Sequence, residues 1–442
     1  MAQVIKAKKA YGHNPLKSSA PLGAALAYLG IEGAVPLLHG SQGCSTYGLA
    51  LAMSHLDENL FVHSTALTEI TAVLGSMASL EQALVTLRNN VEPKLIGIAS
   101  TALVETTGED WIEQVRTIGR KRARELSGTI LVSASTPDFD GAIEDGWAAA
   151  VNALLDTLVD GPRPRVAGRI NILPGVHQTP AELTELRRYC QLFGLSAYIA
   201  PDLRVARGAR GTQHEGMRAG GADLTAVMRM GEAVHTLAFG EHMRGPAERL
   251  SQRTQIPYTV LHAWTGLDGV DELVRTLMQL SGITAPEALR QERAALLDAC
   301  LDAHYVLDGK RIAIASDPDL LATLVQVFSS LGARIVSAIS STSRSSILKQ
   351  LPVERVLVSD LGELEDEARS TRAQLLVTHS RGQMAAERLG IPLFRVGFPI
   401  FDRLGVQDRC WLGYAGTRRL VYELANLLQP RWWSDHSQAA AE

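Results

Sequence analysis

The chain has 442 residues, 46% of them apolar and 20% charged, which is material for about three domains with large cores and too apolar for a disordered chain. Lys plus Arg number 43 against 47 Asp plus Glu, a net charge of −4, without the basic footprint of a nucleic-acid binder. The apolar run Leu22 to Ile31 follows Lys6, Lys8, Lys9 and Lys17 and mimics a signal peptide, but Glu32, Pro36 and His39 come next without a cleavage site, and the run is shorter than the roughly 20 residues of a membrane span.

The first segment, 1–160, opens with a polar arm. Ser18 or Ser19 caps a helix with Pro21 in its first turn and Ala24 to Leu29 as its body. Ala34 to Leu38 reads as a strand, Thr68-Glu69 as the start of a helix through Leu80, Lys94 to Ser100 as a buried strand, Trp111 to Glu125 as a helix and Thr129 to Ala134 as a strand. In the second segment, 161–308, Arg169 to Leu173 is a strand and Thr179 caps a helix through Phe193 with Pro180 first, followed by the strand Leu195 to Ile199. The glycine- and arginine-rich connection Pro201 to Asp223 is either a binding loop or a solvated excursion. Asp223 to Met230 and Pro246 to Thr254 read as helices, Val234 to Phe239 and Tyr258 to Leu261 as strands, and Ala285 to Tyr305 as a long linking helix. The third segment, 309–442, holds the clearest βαβ pattern, Lys310 to Ala315, Asp317 to Leu331 and Ala333 to Ala338, followed by strands at Arg355 to Val358 and Gln374 to Val377. Trp432 and Trp433 anchor the end before a loose tail. The expected fold class is α/β, three Rossmann-like domains with mainly parallel sheets flanked by helices, and sites where loops leave the carboxyl ends of strands.

The four cysteines, Cys44, Cys190, Cys300 and Cys410, are widely separated and give neither a disulfide framework nor paired zinc spacing. A reducing cytoplasm fits that usage. The sharpest local signal is His39-Gly40-Ser41-Gln42-Gly43-Cys44, where glycines allow close approach of a bulky inorganic group. A helix starting near Ser45 would favour the Cys44 thiolate, the species that binds metal. Read locally, Cys44 is either that ligand or a buried free thiol in a tight turn, and His39 either a donor behind the ligand or a structural group. An iron–sulfur cluster takes about four cysteines, so ligation by Cys44 requires ligands from another chain. Cys190 and Cys300 fall at core positions of helical patterns, and Cys410 also reads as structural. The other histidines, His13, His55 and His63 among them, have no paired metal spacing. Asp138 and Asp140 read as a solvated turn, and Phe398 to Gly405 and Gly413 to Gly416 as loops that either close domains or touch a ligand. No nucleophile elbow, P-loop or dinucleotide fingerprint is present.

The cysteine run, preceded by Asn14-Pro15-Leu16-Lys17 and Pro21-Leu22-Gly23-Ala24 and followed by Thr68-Glu69, Ser135 to Phe139 and Phe398 to Gly416, resembles the nitrogenase component family over nearly the whole chain. The likeness is strongest to its cofactor-assembly branch. In the catalytic β chain of that family three cysteines hold half of an eight-iron cluster. Cys44 matches the first, whereas the second falls around Val62 and His63 and the third at Ala102, which argues against a catalytic β chain. The resemblance implies a scaffold rather than an enzyme. It further implies a [4Fe-4S] cluster shared between Cys44 and three cysteines of the partner NifE in an α2β2 heterotetramer, with Gly43 and His39 beside the ligand. The complex would mature an iron–molybdenum cofactor precursor, held mainly in the partner, by insertion of molybdenum and homocitrate, with NifB, NifH and small cofactor carriers as transient partners. The competing implication is a catalytic oxidoreductase subunit, a nitrogenase β chain or a dark-operative protochlorophyllide reductase subunit. A third reading is a cluster-free protein binding a small ligand in the cleft between its domains.

Overall fold

A computed structural model describes residues 2–7, 14–56, 58, 60–139, 141–204 and 220–429. His13, Asp140, Trp432, Trp433, the tail, and Arg207, Arg210 and Arg218 of the glycine-rich connection lie outside them. Three sheets, parallel in every recorded pairing, carry the described chain. The first runs in the order His63–Ser64, Ala34–His39, Leu95–Ser100, Ile130–Ala134, and the second Ser196–Ile199, Arg169–Leu173, His235–Phe239, Tyr258–Leu261. The third has six strands, Gln3–Lys6, Arg355–Val358, Arg334–Ser340, Arg311–Ser316, Leu375–Thr378 and Leu393–Arg395. The α/β class expected from the alternating pattern is therefore observed. The polar arm is not: Gln3–Lys6 pairs with Arg355–Val358, because Val4 and Ile5 extend an apolar sheet edge contributed from the far end of the chain.

Burial on both faces explains why the central strands read as apolar runs; Ala34–His39 and Leu95–Ser100 are buried at every residue. Helix Ala20–Leu29 is likewise wholly buried and crosses helix Ile143–Leu158, which the sequence reading did not resolve, at backbone contact distance. A Cβ on Gly23 would lie 2.0 Å from the Ile143 carbonyl oxygen, and one on Gly146 1.8 Å from that of Ala20, so both crossing points demand glycine. Gly97 makes room in the same way for the buried Tyr28 ring, 2.2 Å from its would-be Cβ. The expected helix through Leu80 is two helices, Glu69–Leu74 and Met77–Val91, because the chain turns at Gly75 with φ +115°. Thr179 and Glu182 form the capping box of Pro180–Leu192, Thr179 Oγ1 accepting from the Glu182 amide at 3.2 Å and Glu182 accepting from the Thr179 amide at 3.1 Å. The long linking helix is found at Glu287–Leu307, preceded by a helix Leu267–Ser281. Among the described residues, no helix is long and apolar enough to cross a membrane.

Candidate functional site

The cysteine turn leaves the carboxyl end of Ala34–His39 and is gripped by the loops after the two neighbouring strands. Gly40 donates its amide to Thr65 Oγ1 at 3.0 Å, and its carbonyl accepts from the Leu67 amide at 2.9 Å and Ser64 Oγ at 3.0 Å. From the other side, Thr101 gives both its amide and its hydroxyl to the His39 carbonyl, each at 3.1 Å. A Cβ on Gly40 would come within 2.3 Å of Thr101 Oγ1, so the first glycine of the motif is required by packing inside this chain. Gly43 differs: a Cβ there meets nothing within 4 Å.

His39 is fully buried. Its Nδ1 hydrogen-bonds Thr65 Oγ1 at 3.0 Å and its Nε2 Ser76 Oγ at 3.2 Å, and its ring lies 5.9 Å from that of Trp111. Burial lowers its pKa to about 4, against the weaker opposing pull of Glu109 and Glu105. Ser76 donates in turn to Glu109 Oε2 at 2.6 Å, and Gln114 to the same oxygen at 2.9 Å. The imidazole thus supports the turn from beneath, with both nitrogens engaged by neighbouring hydroxyls. Thr65, Ser76 and Glu109 carried no signal in the sequence, since 26 or more residues separate each from His39 and only the sheet brings them together.

Helix formation begins at Gln42, three residues before the expected start, so Cys44 lies inside the first turn of Gln42–Leu56. Cys44 is exposed rather than buried, which removes the reading of a buried free thiol; its sulfur is 3.6 Å from Ser41 Oγ. The other three thiols are elsewhere. Burial pushes Cys190 up to about 12, and it raises Cys300. Cys410 is pushed up to about 12, chiefly by burial, with Sγ pointing at the Leu412 carbonyl. Raised thiol pKa values disfavour the thiolate, as expected of packed cysteines. Ala102 opens the helix Ala102–Thr107 directly after Thr101, and His63 lies on the strand beside Ala34–His39 with its Nε2 buried and unpartnered. The positions that resemble the second and third cluster cysteines therefore flank the turn but offer no sulfur.

Beside the turn, Thr68 caps Glu69–Leu74, a helix with no buried residue, on which Ile70, Val73 and Leu74 are 68%, 84% and 80% exposed. Their i, i+3, i+4 spacing puts the three apolar groups on one bare face of the helix. A four-iron cluster needs about four thiolates, and this turn provides one; the donor set fits a cluster only when another chain completes it.

One sequence expectation changes, and one of two open readings gains support. Asp138 is not a solvated turn residue: its Oδ1 accepts from the Ala20 amide at 2.9 Å, capping the buried helix. The C-terminal loops close the structure. Ile400 donates its amide to His55 Nδ1 at 3.1 Å, and the Tyr414 amide donates to Tyr189 Oη at 2.9 Å beneath Gly413.

Comparison with known proteins extends these observations. The family model for nitrogenase component 1 type oxidoreductases matches residues 19–429. The chain is 44% identical over 452 residues to the nitrogenase iron-molybdenum cofactor biosynthesis protein NifN of Sinorhizobium fredii (strain NBRC 101917 / NGR234), covering 97% of this chain and 96% of that protein. It is 46% identical over 432 residues to the NifN of Rhizobium meliloti (strain 1021), covering 97% and 98%. Among solved structures, nitrogenase Cp1 at pH 6.5 superimposes with a TM-score of 0.89 at 26% identity, covering 96% of this chain and 94% of that one.

Proposed function

The chain belongs to the nitrogenase component 1 type oxidoreductase family, and from that premise we propose that it is a subunit of the scaffold on which the iron–molybdenum cofactor precursor matures before transfer to apo-nitrogenase. The observation that carries this reading is the single exposed thiol, Cys44, in a glycine turn with no second cysteine beside it. Cys44 supplies one thiolate to a [4Fe-4S] cluster, and three cysteines of the homologous partner NifE supply the rest. The cluster adds electron-transfer capacity and links metal binding to association of the two chains.

This chain's residues act on that cluster by position. Cys44 sits in the first turn of Gln42–Leu56, where free amides and the positive dipole end attract the negative charge of a bound cluster. Gly43 leaves the approach open, and His39 holds the turn from below. The bare face of Ile70, Val73 and Leu74 supplies apolar surface to the partner. In the assembled α2β2 complex the precursor resides mainly in NifE, receives molybdenum and homocitrate there, and meets NifB, NifH and small carriers transiently. The role is scaffolding rather than catalysis, in the cytoplasm, with domains at 1–160, 161–308 and 309–442 and the strand Gln3–Lys6 joined to the last. Absence of sulfur at Val62, His63 and Ala102 weighs against a catalytic nitrogenase β chain.

Anoxic purification with the native partner, followed by iron and molybdenum analysis of wild type and Cys44→Ala, tests the reading. Iron in excess of one four-iron cluster per heterodimer, partly lost in the variant, with little molybdenum, is the expected result. Equal iron and an unchanged spectrum in Cys44→Ala would refute the ligand assignment.

A further inference from the structure

Away from the cysteine turn, five titratable side chains meet where loops from the carboxyl ends of different sheets converge. Glu144 comes from the first turn of Ile143–Leu158, His177 from the loop after Arg169–Leu173, and His242 from the short turn Glu241–Met243 after His235–Phe239. Asp317 and Asp319 open the helix Pro318–Ser330. All five side chains are buried, with at most 7% exposed.

Their contacts leave one carboxyl oxygen without a partner. Glu144 Oε1 lies 2.9 Å from His177 Nε2 and accepts from the Asp319 amide at 3.0 Å. Asp319 Oδ2 is hydrogen-bonded to His242 Nδ1 and accepts from the His242 amide at 3.0 Å. Asp317 accepts from Ser341 Oγ at 2.5 Å and stands 3.9 Å from His177 Nε2. Three carboxylates thus face two imidazoles, and among the described residues no lysine or arginine forms an ion pair with any of the three. Asp319 Oδ1 is buried with no hydrogen-bond partner at all. Buried charge persists when it is paired or when it binds a metal ion, and an orphaned carboxylate oxygen is an open ligand position.

We propose that Glu144, His242 and Asp319 hold one divalent transition-metal cation of the zinc, iron(II) or manganese(II) class. The nitrogen-and-oxygen donor set selects that class over soft-metal chemistry. One donor atom from each residue lies within 4.8 Å of the others; two ligands about 2.2 Å from one ion are at most about 4.4 Å apart, so the farthest donor moves in slightly, while His242 Nδ1 and Asp319 Oδ2, now hydrogen-bonded to each other, part to admit the ion. Loading at Nδ1 moves the neutral ring's proton to Nε2, and the 3.4 Å contact from the Val176 amide to that nitrogen opens. A cleft of about 290 Å³ lined by Glu144, His242, Pro318 and Arg344 provides the entry path. The ion ties three loops together across the molecule, making their relative placement depend on metal.

The test uses the full chain carrying Cys44→Ala, so that zinc has no exposed thiol to occupy. Metal-stripped protein is titrated anoxically with Zn²⁺ alone, bound zinc is counted, and crystals are measured at the zinc absorption edge. The expected result is one tight equivalent per chain and an anomalous peak between Glu144, His242 and Asp319. Asp319→Asn and Glu144→Gln should each lose that equivalent or bind at least about tenfold more weakly. No tight zinc, the same stoichiometry and affinity in both variants, or a peak elsewhere would overturn the site. If a variant does not fold, the anomalous map of the otherwise unaltered chain decides by itself.

Discussion

Lowering the pH from about 7.5 to about 5.5 should loosen the cysteine turn, with His39 contributing a share that its substitution isolates. Its ring is closed in by Thr65, Ser76 and Trp111, and burial holds its pKa at about 4, down from 6.5. Below pH 6.5 the unfolded chain takes up a proton at this residue that the folded turn refuses until about pH 4, so stability is full above the higher value and falls through that window. Over the stated step the loss works out at about 1.3 kcal/mol, roughly a ninefold rise in the open population. Hydrogen exchange of the Leu37 to Gly40 amides, corrected for the pH dependence of the intrinsic rates, measures that opening directly. His39→Gln has no titrating ring, so its opening free energy should change by less than about 0.3 kcal/mol from this source. An equal fall in wild type and variant would show that the pH response arises elsewhere and that the account of the turn is wrong.

Three further outcomes follow from the same geometry. Gly40→Ala drives a methyl into Thr101 Oγ1 and should cost about 1–3 kcal/mol in urea unfolding, with part recovered when Thr101→Ala is added. Gly43→Ala has open space around its Cβ and lies in a helical first turn, so thermal stability should hold or rise by up to about 1 kcal/mol; iron content of the assembled complex should nonetheless fall, and unchanged iron would show that nothing approaches this glycine closely. Val73→Asp replaces an 84% exposed side chain and should move the stability of the isolated chain by no more than about 0.5 kcal/mol, yet weaken association with the partner in sedimentation experiments; full association would remove that helix from the interface.

Local chemistry carried much of the architecture. The strands Arg169–Leu173, Tyr258–Leu261 and Arg355–Val358 have the bounds expected from the sequence; the first and third bury every residue after their leading arginine, and strands covered on both faces need apolar side chains at successive positions. The Thr179-Pro180 cap was legible because every element of a helix start lies within four residues. The family resemblance rests on several short motifs, and the candidacy of Cys44 on one of them, each legible as a contiguous run. What failed had distant causes. Gln3–Lys6 becomes a strand only against Arg355–Val358, Asp138 becomes a cap only when Ala20 is brought to it, and the crossing of Gly23 over Ile143 is invisible in either segment alone.

The sequence by itself therefore determined the parallel α/β class, the glycine-bracketed thiol and the lack of a second cysteine near it, because these depend on residue type and near-neighbour spacing. Only the tertiary structure decided that Cys44 is exposed while His39 is sealed beneath it, and that Glu144, His242 and Asp319 converge. Exposure and convergence are properties of surfaces assembled from separate strands, and burial sets the energy of a charge only after the chain has closed around it.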